Sequence, residues 1–243
     1  MRFVAVSDTH LAQPELPEGD VLLHAGDLTY RGTLPEVSEA ACWLEEQKRK
    51  KKYRHVVVIA GNHDWLFLNE PGLARQIMRE RGLLYLEDSG LTLEGSTVLA
   101  GEIAPGPSRV AIYGSPWQPA FMKWAFNLQR GQELKEKWDM IPANVDILMT
   151  HGPPHKILDG VPTFDEDAYP SDESMTVRHV GCEELLKAIA RVKPEVHVFG
   201  HVHSGHGRIE RDGTTFINAS IMNEVYDPEL KPFVFDFPRS VRE

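Results

Sequence analysis

Five short apolar runs punctuate the chain: Phe3–Ser7, Val21–Ala25, His55–Ala60, Val145–Thr150 and Glu195–Phe199. Each is rich in β-branched and aliphatic residues and lacks polar alternation, which predicts strands buried on both faces. Between the second and third runs, Thr33–Tyr53 predicts a helix. Thr33 and Glu36 have capping-box spacing, Pro35 lies in the first turn, and Lys48, Arg49, Lys50, Lys51 and Lys52 suit the negative end of the helix dipole. With no aromatic interleaving, that basic run reads as a solvated helix end and not as a nucleic-acid patch. Further helices are expected at Leu73–Arg81, Gln129–Asp139 and Cys182–Val192, and shorter strands at Leu83–Leu86, Thr97–Ala100, Arg109–Tyr113, Thr214–Asn218 and Pro232–Asp236. Asp212-Gly213 marks a hairpin turn. The mixture predicts an α/β protein of packed sheets flanked by helices, a single domain over residues 1–243. The least regular stretch, Gly152–Val180, is rich in Pro, Asp and Glu and reads as a long loop of the kind that serves as a lid or binding loop.

The chemistry sits where the buried runs end. Phe3–Ser7 leads into Asp8-Thr9-His10, Val21–Ala25 into Gly26-Asp27, and His55–Ala60 into Gly61-Asn62-His63-Asp64. Val145–Thr150 leads into His151, and Glu195–Phe199 into Gly200-His201-Val202-His203. Carboxyl ends of strands are the edge at which open α/β sheets assemble their sites. Any one of these motifs means little, but five coincident ends carrying only oxygen and imidazole donors predict a dinuclear metal centre. Such donors suit Mn, Fe, Zn or Co, Mn being the expected choice in vitro, and the lack of thiolates disfavours a closed structural zinc site. One carboxylate can bridge two ions about 3.5–4 Å apart, and bound ions lower the pKa of water so that hydroxide is available for in-line attack on phosphorus.

Charge first argues against phosphate. Lys and Arg number 26 against 36 Asp and Glu, a formal net charge of −10, which disfavours long nucleic acid and a nuclease role. That sum omits metals: two divalent cations would carry about four positive charges against two from Asp8 and Asp27, enough to hold a phosphodiester. Cys42 and Cys182 are too few and too far apart for a disulfide framework and are expected reduced. The amino terminus enters a strand at once and no apolar run approaches the ~20 residues that span a bilayer, so a cytoplasmic protein without membrane contact is expected.

Asp8-Thr9-His10, Gly26-Asp27, Gly61-Asn62-His63-Asp64, His151 and Gly200-His201-Val202-His203 together resemble the five sequence blocks of the calcineurin-like metallophosphoesterases. Asp20–Asp27, Leu86–Gly90, Tyr113–Asn127 and Asp146–Pro154 resemble, more narrowly, the small metallophosphoesterase-domain-containing proteins first noticed in fetal brain and their bacterial relatives. The resemblance implies a four-layer α/β sandwich, two mixed β-sheets flanked by helices, and hydrolysis of small phosphodiesters including cyclic nucleotides. It assigns Asp8, His10, Asp27 and His203 to a first metal, and the bridging Asp27 with Asn62, His151 and His201 to a second. His63 is implied to stand outside the ligand set, stabilising developing charge or protonating the leaving oxygen. Many members carry a carboxylate three residues after the bridging Asp to orient this histidine. Here that residue is Tyr30, so either Asp64 takes over, if it does not simply cap the following helix, or His63 is less polarised.

Arg31 is a phosphate contact by position, against a solvated alternative. Trp117, Phe121, Trp124 and Phe126 either stack on a nucleobase or pack in the core, and Trp117, Asn62 and His63 are carried forward with Arg31 as substrate contacts. His24 and His197 read as satisfied core residues, and His155 and His179 bracket the irregular loop. The expected partner is a small phosphodiester or nucleotide. The alternatives are a phosphomonoesterase or protein phosphatase, or a low-turnover nucleotide-binding protein, for which Tyr30 speaks.

Overall fold

The computed structural model of the chain describes residues 1–99, 102–164 and 175–237. Every apolar run becomes a strand, and most strands lie parallel because crossover helices cover the outer faces of the sheets. The amino-terminal half contributes β1 (Arg2–Val6), β2 (Val21–Ala25), helix α1 (Leu34–Lys50), β3 (His55–Ile59), the short helices α2 (Trp65–Asn69) and α3 (Pro71–Glu80), and β4 (Leu84–Tyr85). A long hairpin follows, β5 (Ser89–Leu99) and β6 (Glu102–Ser115), then β7 (Gln118–Pro119), β8 (Asn127–Leu128), α4 (Gln132–Asp139) and β9 (Ile147–Thr150). The remainder is β10 (Gly160–Phe164), β11 (Met175–His179), α5 (Glu183–Val192), β12 (Val196–Phe199), β13 (Gly207–Arg211), β14 (Thr214–Asn218) and β15 (Phe233–Asp236).

Two mixed sheets result. The first runs β15-β1-β2-β3-β4, parallel except for β15, and the second runs β13-β14-β12-β9-β6-β5, with antiparallel β13 and β5 at its two edges. Alternation along each strand divides the core into layers. Val4, Val6, Leu22, Val56 and Val58 face α1, α2 and α3. Phe3, Ala5, Leu23, Val57 and Ile59 face the opposing sheet through Ile112, Ile147, Met149, Val198 and Ile217. On that sheet's far side Leu148, Phe199 and Phe216 pack against Trp138 of α4 and Leu185 and Ile189 of α5. Helix, sheet, sheet, helix is the four-layer order expected.

Local signals were mostly legible. Thr33 caps α1 and its backbone N–H donates to Glu36 Oε2 at 2.9 Å, the reciprocal capping box. The basic end of α1 is spent locally: Lys50 pairs with Glu46 at 2.6 Å, and Lys48 donates to the Gly82 carbonyl at 2.7 Å. Asp212 and Gly213 both take left-handed φ, +52° and +84°, as the tight turn between β13 and β14 requires. Several boundaries differ, and α2 was not expected. The strand expected at Thr97–Ala100 is the end of the longer β5, with Ala100 outside the described residues. Gly152–Val180, expected irregular throughout, contains the antiparallel pair β10 and β11, joined through 165–174 outside the described residues. β13 was missed because four of its five residues are exposed, leaving no apolar pattern to find. Among the described residues no helix is long and apolar enough to cross a membrane.

His24 and His197 sit inside strands, fully buried. His24 is satisfied: the Gly26 N–H donates to its Nδ1 at 3.3 Å, so its Nε2–H donates to Thr9 Oγ1 at 3.0 Å. His197 is only half satisfied. Thr150 Oγ1 donates to the Gly152 carbonyl and so accepts from His197 Nε2–H at 2.8 Å, leaving Nδ1 without a partner. Burial alone drives the His197 pKa down to about 3. The folded state therefore keeps this ring neutral while the unfolded chain protonates it below about 6.5, so stability falls as pH drops through that window. From this residue alone the loss expected by pH 5 is about 2 kcal/mol. Urea melts of wild type and His197→Gln between pH 7 and pH 5 check this: the variant should show the shallower pH slope.

Candidate metal centre

All five chemical strand ends meet at one edge of the sandwich, after β1, β2 and β3 of the first sheet and β9 and β12 of the second. Backbone bonds fasten the ends together: Asp8 N–H donates to the Gly26 carbonyl at 2.9 Å, His10 N–H to the Asp27 carbonyl at 3.1 Å, and Gly200 N–H to the His151 carbonyl at 2.9 Å. Side chains complete the clasp, with His63 N–H donating to Asp27 Oδ1 at 2.8 Å and His201 N–H to Asp8 Oδ2 at 3.0 Å. Two glycines make the approach possible. Gly26 has φ +98°, and a Cβ there would come within 2.6 Å of His151 Nδ1. A Cβ on Gly200 would run into the Asp8 carboxylate and Ser7. Asp8, His10, Asp27 and His201 themselves take left-handed backbone, with φ of +54°, +41°, +54° and +68°. Conformations of that kind cost of order 1 kcal/mol or more each and persist only where the surroundings enforce them, typically at functional sites.

The donors fall into three overlapping groups whose ligand atoms lie within 4.8 Å of one another: Asp8, His10 and His203; His10, Asp27 and His63; Asp27, His151 and His201. Asn62 joins the last, its Oδ1 2.9 Å from His151 Nε2. The imidazoles are aimed from behind. His10 Nδ1 donates to the Thr29 carbonyl at 2.9 Å, His151 Nδ1 to Ala25 at 2.9 Å, His203 Nδ1 to Asn223 at 3.0 Å, and His63 Nδ1 to Tyr30 at 2.7 Å. A carbonyl only accepts, so each Nδ1 carries the proton and Nε2 faces the carboxylates. The Nε2 atoms of His151, His10 and His63 stand 3.4, 3.8 and 4.0 Å from Asp27 Oδ2, and that of His203 stands 3.7 Å from Asp8 Oδ1. Backbone acceptors that fix a ligand's tautomer and orientation are the usual outer support of a metal site.

Two carboxylates are thus buried amid imidazole nitrogens. Burial opposes ionisation of Asp8, but the His203 hydrogen bond and the charge of His151 outweigh it and hold its pKa at about 2. Asp27 is held lower still by His151 against the same burial. Burial would push His151 down, yet the Asp27 charge raises it to about 9, while burial lowers His10 and takes His201 to about 4. An imidazolium at His151 supplies the countercharge that a cation would supply, and metal binding displaces that proton. The residues present fit divalent metal: His10 Nε2 is buried without any hydrogen-bond partner, and the donors are the nitrogen and oxygen set that suits Mn, Fe, Zn or Co.

Asp64 does neither of the two things expected of it. It is the residue before α2, but its side chain makes no cap bond and does not reach the His63 ring. Its fully buried carboxylate instead accepts from Gly61 N–H at 2.8 Å, Leu28 N–H at 3.2 Å, Thr29 N–H at 3.0 Å and Thr29 Oγ1 at 2.7 Å. Burial and the charge of Asp27 raise its pKa to about 6 in spite of these donors. It ties the loop after β2 to the loop after β3. The orienter of His63 is the Tyr30 carbonyl, and Trp124 packs on the ring at 4.1 Å.

The other expected contacts have different partners. Trp117 donates from Nε1 to Asp88 at 2.8 Å, packs edge-on to Phe126 and lies under Lys137. Arg31 is exposed, and its backbone N–H donates to Glu36 Oε2 at 3.2 Å. His179 donates from Nδ1 to buried Asp159 at 2.7 Å beside His155. Residue-type reasoning missed the carbonyls of Tyr30 and Asn223, since any residue supplies a carbonyl. It also missed Tyr226, whose ring packs 5.0 Å from both His10 and His203.

The family model for calcineurin-like phosphoesterase matches residues 1–205. The chain is 40% identical over 98% of its length to metallophosphoesterase domain-containing protein 1 of Homo sapiens, covering 71% of that protein. Two UPF0046 proteins of Caenorhabditis elegans are 36% and 35% identical over 98% of the chain, which covers 60% and 81% of them.

Gly200→Ala is expected to lose metal with little loss of fold, because the added methyl displaces Asp8 and Ser7 at an edge outside the hydrophobic layers. Elemental analysis after dialysis against Mn²⁺, together with a melting curve, checks this. Full metal content in the variant would refute the account of that glycine.

Proposed function

The chain belongs to the calcineurin-like phosphoesterases, and from that premise we propose that it is a dinuclear metal-dependent phosphodiesterase of small phosphodiesters, cyclic nucleotides among them. The observation that carries the reading is the position of Asp27, one buried carboxylate shared by two donor groups, one with His10 and His63 and one with His151 and His201. In this reading Asp8, His10, Asp27 and His203 hold one ion, and Asp27, Asn62, His151 and His201 the other. Bound there, the ions offset charge developing on a phosphoryl group and acidify water. The net charge of −10 leaves small esters as the favoured substrates over long nucleic acid.

His63 has the acid's part. Its Nδ1 is committed to the Tyr30 carbonyl and its Nε2 points into the site, so a proton on Nε2 can pass to the leaving oxygen. Trp124 stacked on the ring prevents it from turning away. The same geometry bears on the low-turnover alternative: Tyr30 does not leave His63 unoriented, since its backbone replaces the missing carboxylate.

Hydrolysis of an aryl phosphodiester with Mn²⁺, after chelation, and by Asp27→Ala should show loss in the second and third cases, with a phosphomonoester turned over more slowly than the diester. Equal rates in all three cases would overturn the reading. For His63→Gln, the rate on an alkyl ester should fall by roughly 10²–10⁴-fold. A good aryloxide leaving group needs no proton, so that substrate should lose far less. Equal losses on both would remove His63 from the acid's role.

A further inference from the structure

A cavity of about 680 Å³ opens beside the centre, lined among others by His201, His203, Phe121, Arg178, Glu224 and Tyr226. Its edge is formed by a loop after β14, beyond residues 1–205 matched by the family model. The loop is built around Asn223. Asn223 Oδ1 accepts from the N–H groups of Val225 and Asp227, both at 2.9 Å, and Nδ2 donates to Glu229 Oε1 at 2.8 Å. Its carbonyl takes the Tyr226 N–H at 3.1 Å as well as His203 Nδ1–H at 3.0 Å. Tyr226, at the turn, has φ +62°, an uncommon conformation for a bulky residue that the Asn223 bonds enforce.

The strain aims one side chain. The Tyr226 ring lies against His10 and His203, the two imidazoles assigned to the same ion, at 5.0 Å from each. The residue is 43% exposed, and its hydroxyl meets no partner among the described residues. Tyr30 also stacks on His10, at 5.2 Å and with its ring 6.3 Å from that of Tyr226, but does not line the cavity. A cover for the imidazoles would need only a phenyl ring; a phenol held at the mouth of a cavity next to a site for anions also brings a hydrogen-bond donor.

We propose that Tyr226 is a substrate-contacting residue whose hydroxyl donates a hydrogen bond to the phosphoryl group held at the metal centre, and that Asn223 positions it. The proposal rests on the phosphoesterase reading above. It makes the loop after β14 part of the binding site, with the ester's phosphoryl oxygens placed between the Tyr226 hydroxyl and the histidine cluster.

Calorimetric titration of Mn²⁺-loaded protein with inorganic phosphate tests it independently of turnover. Tyr226→Phe should weaken phosphate binding about ten- to a hundredfold, the range for a hydrogen bond to a charged group, at unchanged metal content and melting temperature. Asn223→Ala should weaken it as much as Tyr226→Ala, the double variant should add little, and Asn223→Asp combined with Glu229→Gln, which keeps the Oδ1 acceptor and moves the donor to the facing side chain, should restore most of the loss. Phosphate binding by Tyr226→Phe equal to wild type would overturn the contact. Additive losses in the double variant would overturn the positioning by Asn223. If wild type binds no phosphate and hydrolyses no ester, the phosphoesterase reading fails and this one with it; if wild type does both, a silent Tyr226→Phe defeats only the present proposal.

Discussion

Two carboxylates, Asp8 and Asp27, are buried at 0% and 2% exposure at the same edge of the sandwich, and the architecture of the site follows from making that tolerable. An isolated buried carboxylate costs many kcal/mol, so it must be neutralised or paired. Here five strand ends supply imidazole nitrogens and backbone N–H groups to the two charges. The strand ends can converge because glycines replace side chains where they touch, and because several ligands accept left-handed backbone. Divalent cations would suit such a cage, whose His10 Nε2 is buried without a hydrogen-bond partner.

Orientation in this cage comes chiefly from the backbone. Thr29, Tyr30, Ala25 and Asn223 each present a carbonyl to an Nδ1–H, and so set which nitrogen faces inward. Asp64 stands behind this arrangement, holding the loops that carry Asp27 and His63 in fixed relation. The departure at Tyr30 from the family's usual carboxylate is therefore a substitution of a main-chain acceptor for a side-chain one, and the histidine keeps its direction.

The five strands and the residues gathered at the site were legible because buried parallel strands leave continuous apolar runs and because Asp, His and Asn right after them have no role in a core; the four-layer order came from the family resemblance. What escaped reading has physical reasons. The Tyr30 and Asn223 carbonyls carry no residue identity, so no motif could report them. Asp64 lay in a recognised block, yet its carboxylate turned to backbone N–H groups distant in sequence. Tyr226 follows Asn223 in a polar loop whose closeness to His10 exists only after the second sheet has packed on the first. Trp117 was read either as a nucleobase contact or as a packing residue, and the partners the structure gives it are Asp88 and Phe126.

The central claim is that one carboxylate, Asp27, joins two metal positions. Electron paramagnetic resonance of protein reconstituted with Mn²⁺ tests it most directly. Two ions per chain giving an exchange-coupled spectrum, with coupling lost in Asp27→Asn, is the result this account predicts. A single bound ion, or two ions with uncoupled spectra in the wild-type protein, would contradict it.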